Sequence, residues 1–455
     1  MERVSPDFPD RTVCIVGLGY VGLTLAVAMA EVGFRVVGVE RLPEVVAQLR
    51  EGKPHFYEPK LPEALRRLVH KGDLMIHHEI PPEVSPSVYI VTVGTPLDDG
   101  GQVRLDMVEA AVQAVAEHSV DNTLVIMRST LRLGTTTNIV APILAASGKT
   151  FDLAFCPERT VEGQALSELR YLPQIVGGTS HSASLRAAAV FQFLTPTVVR
   201  VSEPETAEMI KMIDNTHRDI SFAFSNEIAR ACDAAGVSAV DVIRAGKLGY
   251  PRTNLYMPGP VGGPCLSKDP HILSEGLRKF GVDLEIAPAA RHLNERQPSE
   301  IAALLAQLVH SFDGFPTAPK ISLLGLAFKG RPITDDLRGT MATPILAAMQ
   351  ECFPGAAFHG YDAMVKADAI REFGVQPCVS LDEAFVDASL VLILNNHVAF
   401  ENMPLADLAI TMRSPGLVYD LWNNFSASNL QLPDGVGYAG LGNLAQAILP
   451  NHMQS

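Results

Sequence analysis

The chain has 455 residues, enough for two or three domains at roughly 100–200 residues each. Its 36 Lys and Arg against 50 Asp and Glu give 36 − 50 = −14, which argues against a nucleic-acid protein, whose affinity comes from neutralised phosphates. Hydrophobic residues make up 47% and charged residues 19%, too apolar for a disordered chain, and the longest apolar stretches, such as Leu23 to Ala30, are too short to span a bilayer.

In chain order, Met1 to Asp10 is acidic and proline-bearing, without the basic start and apolar core of a signal segment. Thr12 to Val16 reads as a buried strand, Leu23 to Val32 as a helix, Arg35 to Glu40 as a second strand, and Pro43 to Arg50 as a helix. Ser87 to Val93, Thr123 to Met127 and Asp152 to Phe155 read as further strands. Such alternation predicts parallel pairing with helices on both faces. From Glu203 to about Asp233 neither proline nor glycine interrupts helical spacing after Thr206, which predicts a long connecting helix ending at Gly236. Helical text continues to Phe312, and Gly314 to Pro319 reads as a linker. Lys320 to Gly325 restarts the strand pattern, followed by a helix at about Pro344 to Glu351 and strands at Phe358 to Tyr361, Leu390 to Leu394 and Leu417 to Tyr419. The expected fold is α/β, with two doubly wound Rossmann-like domains (1–202 and 315–455) joined by a long central helix and helical middle domain (203–314).

Gly17-Leu18-Gly19-Tyr20-Val21-Gly22 is GxGxxG between an apolar strand and an apolar helix. The first glycine permits the tight turn and the second lets the backbone approach a pyrophosphate. The third lets the helix pack on the strand. Glu40, 18 residues after the last glycine, ends the next strand where a carboxylate accepts hydrogen bonds from ribose hydroxyls and repels a 2′-phosphate. NAD is therefore favoured over NADP, a preference softened by Arg41 next door.

The six cysteines sit 26 or more positions apart with no CxxC pair, which removes zinc-ribbon and thioredoxin readings and suits a reducing cytosol. The protein is expected to be cytoplasmic, without a metal and without membrane or nucleic-acid partners. Cys265 stands apart in Gly262-Gly263-Pro264-Cys265-Leu266-Ser267-Lys268-Asp269-Pro270. Asp269 and Pro270 read as the N-cap and first residue of a helix through His271 to Lys279, which places a thiol ahead of a helix N-terminus and beside a lysine. By spacing alone it is either a nucleophile or a buried structural cysteine. Lys211 and Asn215 share one face of the long helix, and Glu158 and Glu162 are also four apart. By themselves these read first as a solvated helix lysine and a surface glutamate face.

Together the blocks resemble the nucleotide-sugar 6-dehydrogenases, the family of UDP-glucose and UDP-N-acetylhexosamine dehydrogenases. The likeness runs through Gly17 to Gly22; Val93-Gly94-Thr95-Pro96; Ser129-Thr130 with Gly134-Thr135-Thr136; Cys156-Pro157-Glu158-Arg159 through Glu162-Gly163; Lys211 with Asn215; Gly262 to Cys265 with Lys268-Asp269; and Gly325-Leu326-Ala327-Phe328-Lys329 with Thr334 to Gly339. The resemblance implies four-electron oxidation of a sugar C6 hydroxymethyl to a carboxylate through a Cys265 thiohemiacetal and thioester. It implies catalytic roles for Cys265, Lys211, Asn215, Asp269, Glu158 and Thr130. It implies NAD contacts at Gly17, Gly19, Tyr20, Val21, Gly22, Glu40, Arg41, Thr95, Thr130, Glu162, Lys268 and Arg338. Substrate contacts are implied at Glu158, Lys211, Asn215, Arg252, Tyr256, Gly262 and Lys329, with Arg252 reaching across a homodimer. Thr334-Asp335-Asp336 reads as a helix cap rather than as a group with direct chemistry.

The compact Pro258-Gly259-Pro260-Val261 turn is similar to the N-acetylhexosamine branch, whereas Lys268 is more typical of the glucose branch. Asp420-Leu421-Trp422-Asn423 lacks the arginine often found near the nucleotide base, which leaves uridine and thymidine open. The competing classes are a two-electron β-hydroxyacid-type dehydrogenase, which needs neither Cys265 nor a second α/β domain, and a non-catalytic NAD or nucleotide-sugar sensor.

Overall fold

The computed structural model describes residues 3–98 and 100–450, so the outermost residues of the expected first and last domains lie outside it. The chain divides into two compact units: residues 1–215 with 268–284, and residues 216–267 with 285–455. It passes between them inside one helix, Pro204–Ala235, and again after Ser267 and Leu284.

The first unit is built on an eight-stranded sheet. Its strands are β1 (Thr12–Val16), β2 (Arg35–Val39), β3 (Leu74–His77), β4 (Val88–Val91), β5 (Thr123–Met127), β6 (Phe151–Phe155), β7 (Gln174–Gly178) and β8 (Val198–Val201). The order is β3-β2-β1-β4-β5-β6-β7-β8, parallel except between β6 and β7. The central strands are apolar along their whole length because helices cover both faces. Val88–Val91 and Thr123–Met127 are buried at every position. Two apolar clusters result, one around Leu23, Ile90 and Phe191 and the other around Tyr89, Met127 and Phe155.

The expectation of wholly parallel pairing is corrected at β7. Residues 156–173 hold only a four-residue helix, Ala165–Glu168, and the chain returns from the end of β6 where it left. A parallel return needs a crossover of a dozen residues or more, usually helical.

The second unit carries a six-stranded, all-parallel sheet of order β11-β10-β9-β12-β13-β14. Its strands are β9 (Lys320–Leu324), β10 (Ala357–Tyr361), β11 (Gln376–Pro377), β12 (Leu390–Ile393), β13 (Gly416–Asp420) and β14 (Val436–Gly440). The two turns that open the sheets match atom for atom. Gly17 N donates to Val39 O at 2.8 Å, and Gly325 N donates to Tyr361 O at 2.8 Å. Both glycines need the left-handed region, at φ +94° and +89°.

The long helix Pro204–Ala235 bears out the uninterrupted helical text, and Gly236 follows it at φ +70°. A second long helix, Ile286–His310, carries Pro298 inside it. No helix among the described residues is long and apolar enough to cross a membrane. Leu124 is fully buried within β5. Truncating it to Ala is expected to cost about 2–5 kcal/mol, measured as a lower urea midpoint, and a loss under about 0.5 kcal/mol would contradict this account of the core.

Candidate functional site

Each unit holds a cluster of its own, beginning in the first with the glycine turn. Gly19 precedes the helix Tyr20–Val32 and gives it no side-chain cap, so the first N–H groups remain available to an anion. A Cβ on Gly19 would meet nothing within 4 Å, whereas one on Gly22 would lie 1.9 Å from Gly17 O. The turn is thus open on the ligand side and closed on the packing side, which fits a dinucleotide pyrophosphate. Glu40 follows β2, and its carboxylate accepts from Leu18 N at 3.0 Å and Leu42 N at 3.1 Å. Arg41 is exposed beside it, and Val21 is half-buried on the helix.

Tyr20 is drawn away from solvent. Its hydroxyl donates to Glu58, and Gly163 N donates to that hydroxyl at 2.9 Å and to Glu58 Oε2 at 2.8 Å. Burial and the Glu58 carboxylate push the phenol far above its ordinary value. The Glu162-Gly163 loop is thereby tied to the glycine turn. Glu58, buried and set in no recognisable motif, was not foreseen from the sequence.

At the ends of β4 and β5, Thr95 Oγ1 donates to Thr130 O at 2.7 Å and Ser129 Oγ to Val93 O at 2.7 Å. Lys268 Nζ donates to Thr95 O at 3.2 Å, which brings Thr95, Thr130 and Lys268 together.

Lys268 also opens the helix Asp269–Arg278. Asp269 is its first residue and not the expected N-cap, because its carboxylate turns to the long helix instead. Asn215 Nδ2 donates to Asp269 Oδ2 at 2.5 Å, and Asp269 Oδ1 is buried with no hydrogen-bond partner. Burial pushes this carboxyl above its ordinary value, against the opposing pull of Lys211, Lys268 and the Asn215 bond. Lys211 is itself buried, and among the described residues its ammonium has neither a hydrogen bond nor an ion pair. A buried acid with an open oxygen beside a buried ammonium is equipped to exchange a proton and to receive negative charge.

Glu158 is arranged differently. Arg128 donates to its Oε2 at 2.7 and 3.0 Å, and Arg159 N and Thr160 N donate to Oε1 at 2.8 and 2.7 Å. Burial pushes the acid up, but Arg128 and these bonds outweigh it and hold Glu158 below its ordinary value. Arg128, distant in the chain, went unread in the sequence.

In the second unit, Cys265 lies in the short helix Gly263–Leu266 and is exposed, unlike the other five cysteines. None is in a disulfide. Burial pushes Cys14 and Cys156 up to about 12. The cysteine turn is tightly seated: Gly263 N donates to Gly339 O at 2.7 Å, and a Cβ on Gly262 would come within 2.4 Å of the same oxygen. A Cβ on Gly263, at φ +84°, would strike the Phe328 ring at 2.5 Å. Lys329 lies over that ring at 5.1 Å, so the Lys329 loop adjoins the cysteine turn. Asp362 holds the loop by accepting from Leu326 N and Ala327 N at 2.7 and 3.0 Å.

Tyr256 stacks on Phe222 at 4.7 Å, and the Trp422 indole fills the space beside Gly259 while donating to Leu394 O at 2.8 Å. Arg252 is exposed, with Nε donating to Tyr250 and its guanidinium 4.6 Å above that ring. Arg338 pairs with Asp336 at 2.6 Å and is 64% exposed. Thr334 accepts from Asp336 N in irregular backbone, so the helix-cap reading of Thr334 to Asp336 is corrected: the next helix begins at Ala342.

Two expectations follow. Gly19→Ala should weaken NAD binding by calorimetry and leave the melting temperature unchanged, whereas Gly22→Ala should lower the melting temperature; the reverse pattern would contradict the assignment of open and closed sides. For Asp269, the raised folded value means that ionisation disfavours the fold. The cost is absent in strong acid, where folded and unfolded chains both hold the proton, and complete above the raised value. Asp269→Asn should therefore raise the urea midpoint at neutral pH and leave it unchanged near about pH 3, below the ordinary aspartate value. A lower midpoint at neutral pH would contradict this.

Comparison with known proteins places the chain. The NAD binding domain of the UDP-glucose/GDP-mannose dehydrogenase family matches residues 11–195, its central domain 205–296 and its UDP binding domain 322–427. The UDP-N-acetyl-D-mannosamine dehydrogenase of Pyrococcus horikoshii is 30% identical over 406 residues, covering 88% of this chain and 93% of that protein. A solved structure of the UDP-D-ManNAc dehydrogenase from Pyrococcus horikoshii has a TM-score of 0.85 at 29% identity, covering 95% of this chain and 99% of the other. A UDP-glucose dehydrogenase from Pyrobaculum islandicum also has a TM-score of 0.85, at 27% identity, covering 96% and 99%. NAD is the cofactor, and the chain belongs to the UDP-glucose/GDP-mannose dehydrogenase family.

Proposed function

We propose that this protein oxidises the C6 hydroxymethyl of a nucleotide sugar to a carboxylate in two NAD-dependent steps, with Cys265 holding the intermediate. The observation that carries the reading is the exposure of Cys265 on a rigid turn, four residues ahead of Asp269 in the chain, while the other cysteines are covered to varying degrees. When bound, NAD supplies the hydride acceptor for each oxidation. Asp269, directly or through a water, takes the alcohol proton as hydride leaves C6, and Lys211 and Asn215 donate to the oxygen on which charge develops. The Cys265 sulfur then bonds to the aldehyde carbon, and its proton passes to the carbonyl oxygen to give a thiohemiacetal. Loss of the second hydride and of the hydroxyl proton leaves a thioester. Water attacks the acyl carbon, the C–S bond breaks, and the thiol is restored.

Glu158, held below its ordinary value with both oxygens bonded, is better suited to fixing the loop that follows it than to activating water. Thr95, Thr130 and Lys268 form the nicotinamide side of the first unit. Lys329 is the substrate-phosphate contact, and Tyr256 and Gly262 are further substrate contacts on the second. Arg252, being exposed, is available to a neighbouring subunit. Exposed Ile213 and Phe224 on the long helix support a homodimer.

The compact turn from Pro258 to Val261, and relatives named for UDP-N-acetyl-D-mannosamine, favour a UDP-N-acetylhexosamine as substrate. Parallel assay of UDP-glucose, TDP-glucose and the UDP-N-acetylhexosamines tests the reading. The expected result is two NADH per sugar with an acid product, fastest on a UDP-N-acetylhexosamine. One NADH per substrate with an aldehyde or ketone product would overturn it in favour of a two-electron dehydrogenase.

A further inference from the structure

The turn that carries Cys265 is held by a buried polar chain. Asp219 and Arg291 form an ion pair at 2.6 Å with side chains 0% and 2% exposed. The same Arg291 nitrogen donates to Leu266 O at 3.0 Å, and the other terminal nitrogen donates to Val261 O at 3.3 Å. These carbonyls lie on either side of Cys265, one of them on the very next residue. Asn294 Nδ2 donates to Asp219 Oδ1 at 2.9 Å, and its Oδ1 accepts from Asn226 at 3.1 Å. Asn226 in turn brackets Gly259, donating to its carbonyl at 3.1 Å and accepting from its N–H at 2.9 Å. All of these residues belong to the second unit.

Burying a guanidinium and a carboxylate is costly, and apolar residues of similar volume would serve stability as well or better. The arginine's planar fork can do what they cannot, gripping the Asp219 carboxylate and two carbonyls in fixed directions while its Nε pairs with Glu295 at 3.3 Å. We infer that the Asp219–Arg291 pair is a positioning device for the Cys265 nucleophile, with Arg291 fixing the backbone on both sides of the sulfur and Asp219, Asn294 and Asn226 fixing Arg291. The inference rests on the proposed thioester route for its meaning. Its main readout, the reactivity of one thiol, does not need the substrate.

The test is the second-order rate of iodoacetamide alkylation at Cys265 across pH, read by peptide mass spectrometry, in the wild type and in the double variant D219L/R291M. That variant replaces the ion pair with apolar volume, so its melting temperature is expected to stay at or above the wild-type value. Its Cys265 labelling is expected to slow and shift in pH. Acid production should fall about 100-fold, as misplacement of a reacting group by about 1 Å can do, while KM for NAD stays unchanged and aldehyde accumulates. Should the double variant not fold, R291K keeps the charge and loses the fork, and the same slowing is expected. Wild-type labelling kinetics in a folded variant of either kind would overturn the positioning role. If instead the wild type makes no acid but labelling still slows in the variant, the thioester route fails and the positioning claim stands.

Discussion

A reactive thiol needs an exposed sulfur on a backbone that does not yield, and these demands conflict, because exposed loops are ordinarily mobile. The second unit resolves the conflict by seating the turn on buried groups. Gly262 and Gly263 leave no room for a side chain between the turn and Gly339 or Phe328, so the backbones close up directly. Arg291 completes the grip by holding the carbonyls of Val261 and Leu266. Cys265 is left as the exposed member of an otherwise anchored segment. The chain then passes at once to Lys268 and Asp269, so one short stretch supplies residues to both units.

The two sheets show how one design is put to different uses. In each, a glycine turn follows the first strand and a carboxylate comes just after the second, accepting from the backbone of the turn: Glu40 from Leu18, Asp362 from Leu326. Glu40 stays half-buried, beside a helix start without a side-chain cap. Asp362 accepts two further backbone donors, Met364 and Val365, and serves to hold the Lys329 loop. The two turns thus differ in how many of the carboxylate's acceptor positions the protein itself consumes.

The sequence was most legible where a local pattern has one physical cause. The apolar runs at Thr12 to Val16 and Thr123 to Met127 became central strands, and the helical text after Glu203 became the helix Pro204–Ala235. It was least legible where partners meet from afar. The antiparallel turn-back of β7 depends on a crossover that never forms, and nothing within Gln174 to Gly178 announces it. Asp269 followed by Pro270 has the local form of a helix cap, but Asn215 and the charge of Lys211 claim its carboxylate from elsewhere in the chain. Arg128 with Glu158, and Glu58 with Tyr20, are joined only by folding. One signal was present and unread: Asp219 and Asn226 are two helical turns apart, and Arg291 and Asn294 are one turn apart, so each pair presents polar groups on a single helical face.

The central claim is that oxidation passes through a bond to the Cys265 sulfur. It is tested most directly by acid quench of the wild-type enzyme during turnover with NAD and a UDP-N-acetylhexosamine, followed by mass spectrometry of its peptides. The account predicts that the peptide containing Cys265 gains the mass of the nucleotide-sugar acyl group and that the other cysteine peptides stay unmodified. Steady production of acid with the Cys265 peptide unmodified at every quench time would contradict it.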